Sequence, residues 1–200
     1  MFRSMRSSRG KTNHSARLAR AAIIGAGCAL AAVIALHLLN PEYDLVARPL
    51  SDYAVGRGGW LIATAIFAFA ISALAIARGL STTRASRAGV VSLYIAGIAY
   101  LIASIFPTDA RLDNTVVTLA GALHFVAGYL SSPALVIAAI LLARESRALA
   151  FALWASLVIL VSVNILEWHI GGIGQRIFFA MALAWMMRTA RRLAFDSNIA

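Results

Sequence analysis

The sequence has one cysteine, four prolines and only 13% charged residues over 200 positions. A lone Cys28 cannot close an intramolecular disulfide, and no CxxC or Cys/His zinc spacing is present. Acidic residues are scarcest, eight against 18 Lys and Arg, leaving a net charge of +10. No Walker loop, dinucleotide fingerprint, HExxH pair or Ser-hydrolase elbow occurs. What replaces charge is hydrocarbon. Hydrophobic residues make up 61% of the chain, whereas soluble domains carry about 45–50% apolar and about 25% charged residues. Too few charges remain to coat a water-facing surface, and a mean hydropathy of +0.81 agrees. A soluble domain, disorder, collagen and coiled coil are excluded together.

Crossing about 30 Å of hydrocarbon takes roughly 20 residues. Six stretches are read as spans: Ala19–Leu39, Gly59–Ala77, Ala88–Phe106, Val116–Leu142, Ala148–Leu166 and Ile173–Thr189. Loop punctuation separates them, including Asn40-Pro41, Arg57-Gly58-Gly59, Pro107-Thr108-Asp109 and Gly171-Gly172. The runs are continuously apolar, and the alternating ten-residue strands of a barrel are missing. The expected fold is all-α: a single integral membrane bundle of six transmembrane helices. Residues 1–18 form a basic tail, 19–189 the membrane domain and 190–200 a second tail. The first run is about as long as a full span and lacks a small-x-small cleavage site, so it reads as a retained helix.

Basic residues orient the bundle, because cytoplasmic loops accumulate Lys and Arg. Fourteen of the 18 fall on one side, and Arg48, Arg57, Arg111 and Arg176 fall on the other. Both termini are therefore expected in the cytoplasm. Insertion explains the excess of positive charge, so no nucleic-acid partner is expected; the lipid bilayer is the expected partner.

With that topology, six of the eight acids lie outside, namely Glu42, Asp44, Asp52, Asp109, Asp113 and Glu167, as do His37, His124 and His169. Acids contribute little to orientation, so the insertion code does not require this grouping. His124 sits about 12 Å inside the fourth run counted from Val116, at 1.5 Å per residue. A polar group at that depth faces the bundle or a wet cavity, and Ala120, Gly121, Ala127, Gly128 and Ser131 share its face. It either serves a site or ties two helices together. The loop from His37 to Gly56 gathers Asn40, Asp44, Arg48, Ser51 and Asp52. It is either a helix-capping segment or the wall of a site. Pocket candidates are thus His37, Asn40, Asp44, Ser51, Asp52, Asp109, His124, Glu167 and His169. His37, Asp52, Asp109 and His124 are expected around one outward-opening pocket.

The pattern His37…Asn40-Pro41-Glu42-Tyr43-Asp44…Arg48-Pro49-Leu50-Ser51-Asp52-Tyr53, then Phe106-Pro107-Thr108-Asp109, then His124, resembles a prokaryotic membrane family known only as domain of unknown function 998. The resemblance covers roughly Ala21 to Thr189. It implies six membrane helices in a bacterial cytoplasmic membrane, a distant similarity to eukaryotic Frag1/DRAM/Sfk1-type proteins, and no settled activity. Two mechanisms stay open. One is a module that binds or moves a lipid headgroup or small solute. The other is an intramembrane metal-dependent hydrolase of a lipid-like substrate, with zinc held by His37, His124 and His169 and with Asp52 or Asp109 as base. No cofactor is expected under the first.

Overall fold

In the computed structural model of this protein the hydrophobic runs are helical, as they must be where lipid offers no hydrogen-bond partner to the backbone. The structure describes residues 2–109, 118–143, 147–166 and 170–199. The helices are α1 (Phe2–Leu39), α2 (Trp60–Leu80), α3 (Arg87–Ile105), α4 (Leu119–Leu141), α5 (Arg147–Ile165) and α6 (Gly171–Ile199). A 3-10 turn at Leu50–Val55 lies between α1 and α2. No strand occurs among the described residues. Asp113, Glu167 and His169 lie outside them.

Each helix packs on its sequence neighbour, α6 closes against α1, and α2 also reaches α6. The seams are made of small residues, which let backbones approach where lipid supplies no hydrophobic drive. A Cβ on Gly25 would stand 2.7 Å from the Ala68 carbonyl oxygen of α2. Ser72 of α2 donates its hydroxyl to the Ala22 carbonyl of α1 at 2.8 Å, joining the same two backbones. Ile76, Leu93, Leu135, Leu153 and Trp185 fill the interior from five helices. Large apolar side chains such as Ile34, Ile71, Ile98, Val126 and Val158 are exposed on the outside. A water-soluble bundle would have buried these positions; here they are the face offered to lipid.

Among the described residues five helices are long and apolar enough to cross a membrane: α2 to α5, and α1 from His14 onward. The sixth expected span is not among them. Arg176 lies in the second turn of α6, and between it and Arg188 run only the apolar residues 177–187. At about 1.5 Å per residue that stretch is short for hydrocarbon of about 30 Å. The helix itself extends well beyond the expected Thr189, just as α1 begins far before Ala19.

Pro49 is extended (φ −58°, ψ 153°), and the chain then coils at once into the 3-10 turn. Helix α4 starts at Leu119 rather than Val116, because Thr118 caps it by accepting from the Gly121 N–H at 3.0 Å. His124 therefore lies about 7.5 Å into α4, at 1.5 Å per residue, shallower than the sequence count.

Candidate functional site

The polar groups collect where α1 and α3 end, α2, α4 and α6 begin, and the loop 40–59 folds across. That loop is pinned from several sides. Asn40, only 1% exposed, donates its amide to the carbonyls of Leu36 and Arg57, both at 2.9 Å, and accepts from the Arg57 N–H at 2.7 Å. Asp44 accepts from the Val46 and Ala47 amides at 2.7 and 3.2 Å, an Asx turn, and its carbonyl accepts from the Arg48 N–H at 2.9 Å, so the chain approaches Pro49 through a tight turn. Helix α6 holds the rest: Ile173 N–H donates to the Val46 carbonyl at 3.0 Å, and Gln175 accepts from the Leu50 N–H at 2.7 Å.

The centre of this arrangement is Arg176, half-buried under the loop. Its Nε–H donates to His37 Nε2 at 3.0 Å. Nη1 donates to the carbonyls of Arg48 (2.8 Å) and Gly172 (2.9 Å), and Nη2 to the Tyr53 hydroxyl at 3.2 Å. Among the described residues, every hydrogen-bond partner of this guanidinium is uncharged. His37 Nδ1 donates to the Val33 carbonyl at 2.6 Å, so Nε2 is the lone pair that receives Arg176. Tyr53 is fully buried, its ring 5.2 Å from His37 and 4.9 Å from Tyr43. Arg48 in turn lies 4.1 Å over the Tyr43 ring. A planar five-donor fork can join three segments in this way. Sequence reasoning counted Arg176 as one of four off-side cations and missed its role. An arginine two turns into an otherwise apolar helix was the signal that could have found it.

Asp109 belongs to a different structure. Its carboxylate accepts from the Thr118 N–H at 2.9 Å and the Thr118 hydroxyl at 2.6 Å. A negative charge at the start of α4 complements the helix dipole. Gly121 is required beside it, since a Cβ there would collide with the Asp109 carboxylate.

His124 lies at the third feature. Its Nδ1 donates to the carbonyls of Ala103 (3.0 Å) and Phe106 (2.9 Å), groups at the end of α3 that lack partners within their own helix. The ring thus ties α4 to α3 and at the same time lines a partly enclosed cavity of about 210 Å³. Ser51, Ser104, Thr108 and the rim residue Trp60 supply its other polar groups, and Ile62, Ala63 and Ile66 of α2 its apolar wall.

The expected single pocket is therefore distributed. Ser51 and His124 share the cavity. Asp52 sits in the 3-10 turn beside Ser51, and Asp109 follows Thr108, but neither carboxylate is among the described lining groups. His37 is held by Arg176, while Asn40 and Asp44 shape the loop. Glu167 and His169 fall outside the described residues. A zinc site on His37, His124 and His169 fits poorly, because both nitrogens of His37 are engaged and a metal would have to displace Arg176 or Val33. No group of three metal-ligating side chains occurs among the described residues.

Lipid-facing helices of this length around a polar-capped core define an integral membrane protein with several spanning helices. The chain belongs to the family described as protein of unknown function DUF998, which matches residues 23–192. No curated protein and no solved structure matches it.

Proposed function

We propose that the protein is a binding module of a bacterial cytoplasmic membrane, with six spans, both termini inside, and an outward-facing cavity that holds the head of a lipid or a small solute. The observation that carries this reading is the cavity itself. Hydroxyls and an imidazole line it together with an aliphatic wall, at the end of a bundle whose exterior is hydrocarbon. Its volume is below the roughly 300–1,000 Å³ of drug-sized sites, so it suits a head and the first part of a chain.

Charge asymmetry and the packing of α6 against α1 and α5 support the sixth span. The bonds to Arg176 support it too, since they satisfy inside the protein a guanidinium that would otherwise oppose insertion near the outer end of α6. Reporter fusions after Arg84 and at the C-terminus are expected to give cytoplasmic signals, and fusions at Asp44 an external one. An external C-terminus would overturn this topology.

Filling the cavity tests the binding reading. Ala63→Phe adds a ring against the apolar wall and away from the Arg176 contacts. Detergent-purified wild type is expected to retain a defined lipid or solute by mass spectrometry, and Ala63→Phe to lose most of it with an unchanged elution profile. Equal retention by the variant, or nothing bound to the wild type, would overturn the reading.

A further inference from the structure

The donors and acceptors around the cavity narrow the chemistry of what it takes. His124 Nδ1 faces two carbonyl oxygens, at 3.0 and 2.9 Å, so this nitrogen carries the proton. With a single proton on the ring, at Nδ1, Nε2 is an acceptor. No protein group bonds Nε2 among the described residues, and none bonds the Ser51 hydroxyl. Ser104 already donates to the Leu101 carbonyl at 2.7 Å, which leaves its oxygen as an acceptor. The cavity therefore offers the Ser51 hydroxyl as an uncommitted donor, the indole N–H of Trp60 as a second donor at the rim, and several acceptors.

Charge is missing from the described lining. Among the described lining groups a phosphate would find no Lys or Arg and an ammonium no carboxylate, so either would be desolvated without a charged partner. Arg176 spends its donors on His37, Tyr53 and two carbonyls, and Arg57, between the lining residues Ala54 and Gly59 in the chain, is exposed and is not among the lining groups. An alcohol matches instead. Its oxygen accepts from Ser51 while its proton goes to His124, and its carbon chain lies along Ile62 and Ile66 toward lipid.

We propose that the cavity receives the free hydroxyl of an uncharged amphiphilic alcohol of the diacylglycerol class, between Ser51 and His124 Nε2. This rests on the reading of the cavity as an amphiphile site and adds the headgroup chemistry. A free polyol carries the same hydroxyl, but it would leave the aliphatic wall against water.

The test uses the full chain in phosphatidylcholine nanodiscs, with bound ligand read by native mass spectrometry. The probes are dioleoylglycerol, its O-methyl ether, dioleoylphosphatidic acid and glycerol. Dioleoylglycerol is expected to bind. The ether, which cannot donate to His124, and the phosphatidic acid are expected to bind roughly tenfold more weakly, about the worth of one hydrogen bond. Ser51→Ala is expected to weaken dioleoylglycerol by a similar factor with an unchanged melting temperature, because the Ser51 hydroxyl has no hydrogen-bond partner to lose among the described residues. His124→Leu is expected to weaken it as well, but with a lower melting temperature from the freed carbonyls of α3. Equal binding of the ether or the phosphatidic acid would overturn the hydroxyl assignment and leave the amphiphile site standing. Glycerol binding as tightly as dioleoylglycerol would overturn the lipid source. No binding by any lipid probe would overturn the inference and the reading beneath it.

Discussion

Replacing Arg176 by leucine is expected to release the external loop and to lower stability by roughly 2–4 kcal/mol, as several charge-assisted hydrogen bonds are lost together. The side chain bonds the end of α1 through His37, the loop through the Arg48 carbonyl, the 3-10 turn through Tyr53 and its own helix through Gly172. Leucine is shorter but more apolar, so insertion of α6 should not suffer. The loss falls on the acceptors left behind, above all His37 Nε2 and the hydroxyl of fully buried Tyr53. Trypsin reports the consequence. The Arg57-Gly58 bond is held by Asn40 through both the N–H and the carbonyl of Arg57, and cleavage there requires the loop to lift. Arg176→Leu should be cut roughly tenfold faster than wild type, in line with a local opening made easier by at least 1.4 kcal/mol. Arg176→Lys should behave nearly as badly, because a single ammonium cannot reach an imidazole, a phenol and two carbonyls at once. Wild-type protection in Arg176→Leu would show that the loop is held without this residue.

The sequence carried the helices and hid their ends. Hydropathy reports which residues can face lipid, so it located both ends of α3 and α5 and the start of α2 to within a residue, but stopped three residues short of the end of α2 and could not see α1 begin at Phe2 or α6 continue to Ile199. Polar residues do not stop a helix; they only stop it from being hydrocarbon. The start of α4 was displaced because Thr118 caps it with help from Asp109, which arrives from the preceding connection. A pattern of apolar residues does not encode such a cap. Among the candidate residues, the depth and small-residue face of His124 were legible, since both follow from one helix. Its two carbonyl partners were not, because they belong to α3. Asn40 and Asp44 drew attention as polar loop residues, yet both spend their polar atoms on backbone nearby. Arg176 shows the limit most clearly. Its three partners outside α6, His37, Arg48 and Tyr53, are separated from it by more than 120 positions, and only the closure of α6 against α1 brings them together.

That closure depends on one residue without a side chain, and Gly172→Ala is expected to disrupt it nearly as much as losing Arg176. A Cβ at Gly172 would run into the carbonyl of Arg48 and stand 2.8 Å from that of Val46. These are backbone atoms, so no rotamer change relieves the collision. Either the first turn of α6 or the loop must retreat. Retreat breaks the bond from Ile173 N–H to Val46 and the one from Arg176 to Arg48. The expected cost is about 1–3 kcal/mol, the usual penalty for overpacking a close contact. A double-mutant cycle separates this from a local defect in the helix. If Gly172 matters because it lets Arg176 reach the loop, the combined Gly172→Ala, Arg176→Leu protein should be less destabilised than the sum of the single changes, by roughly 1–2 kcal/mol. The loop protease sensitivity of the double variant should likewise match that of Arg176→Leu alone. Strict additivity in thermal unfolding, with the two substitutions multiplying each other's effect on cleavage after Arg57, would mean that the glycine and the guanidinium hold the loop separately.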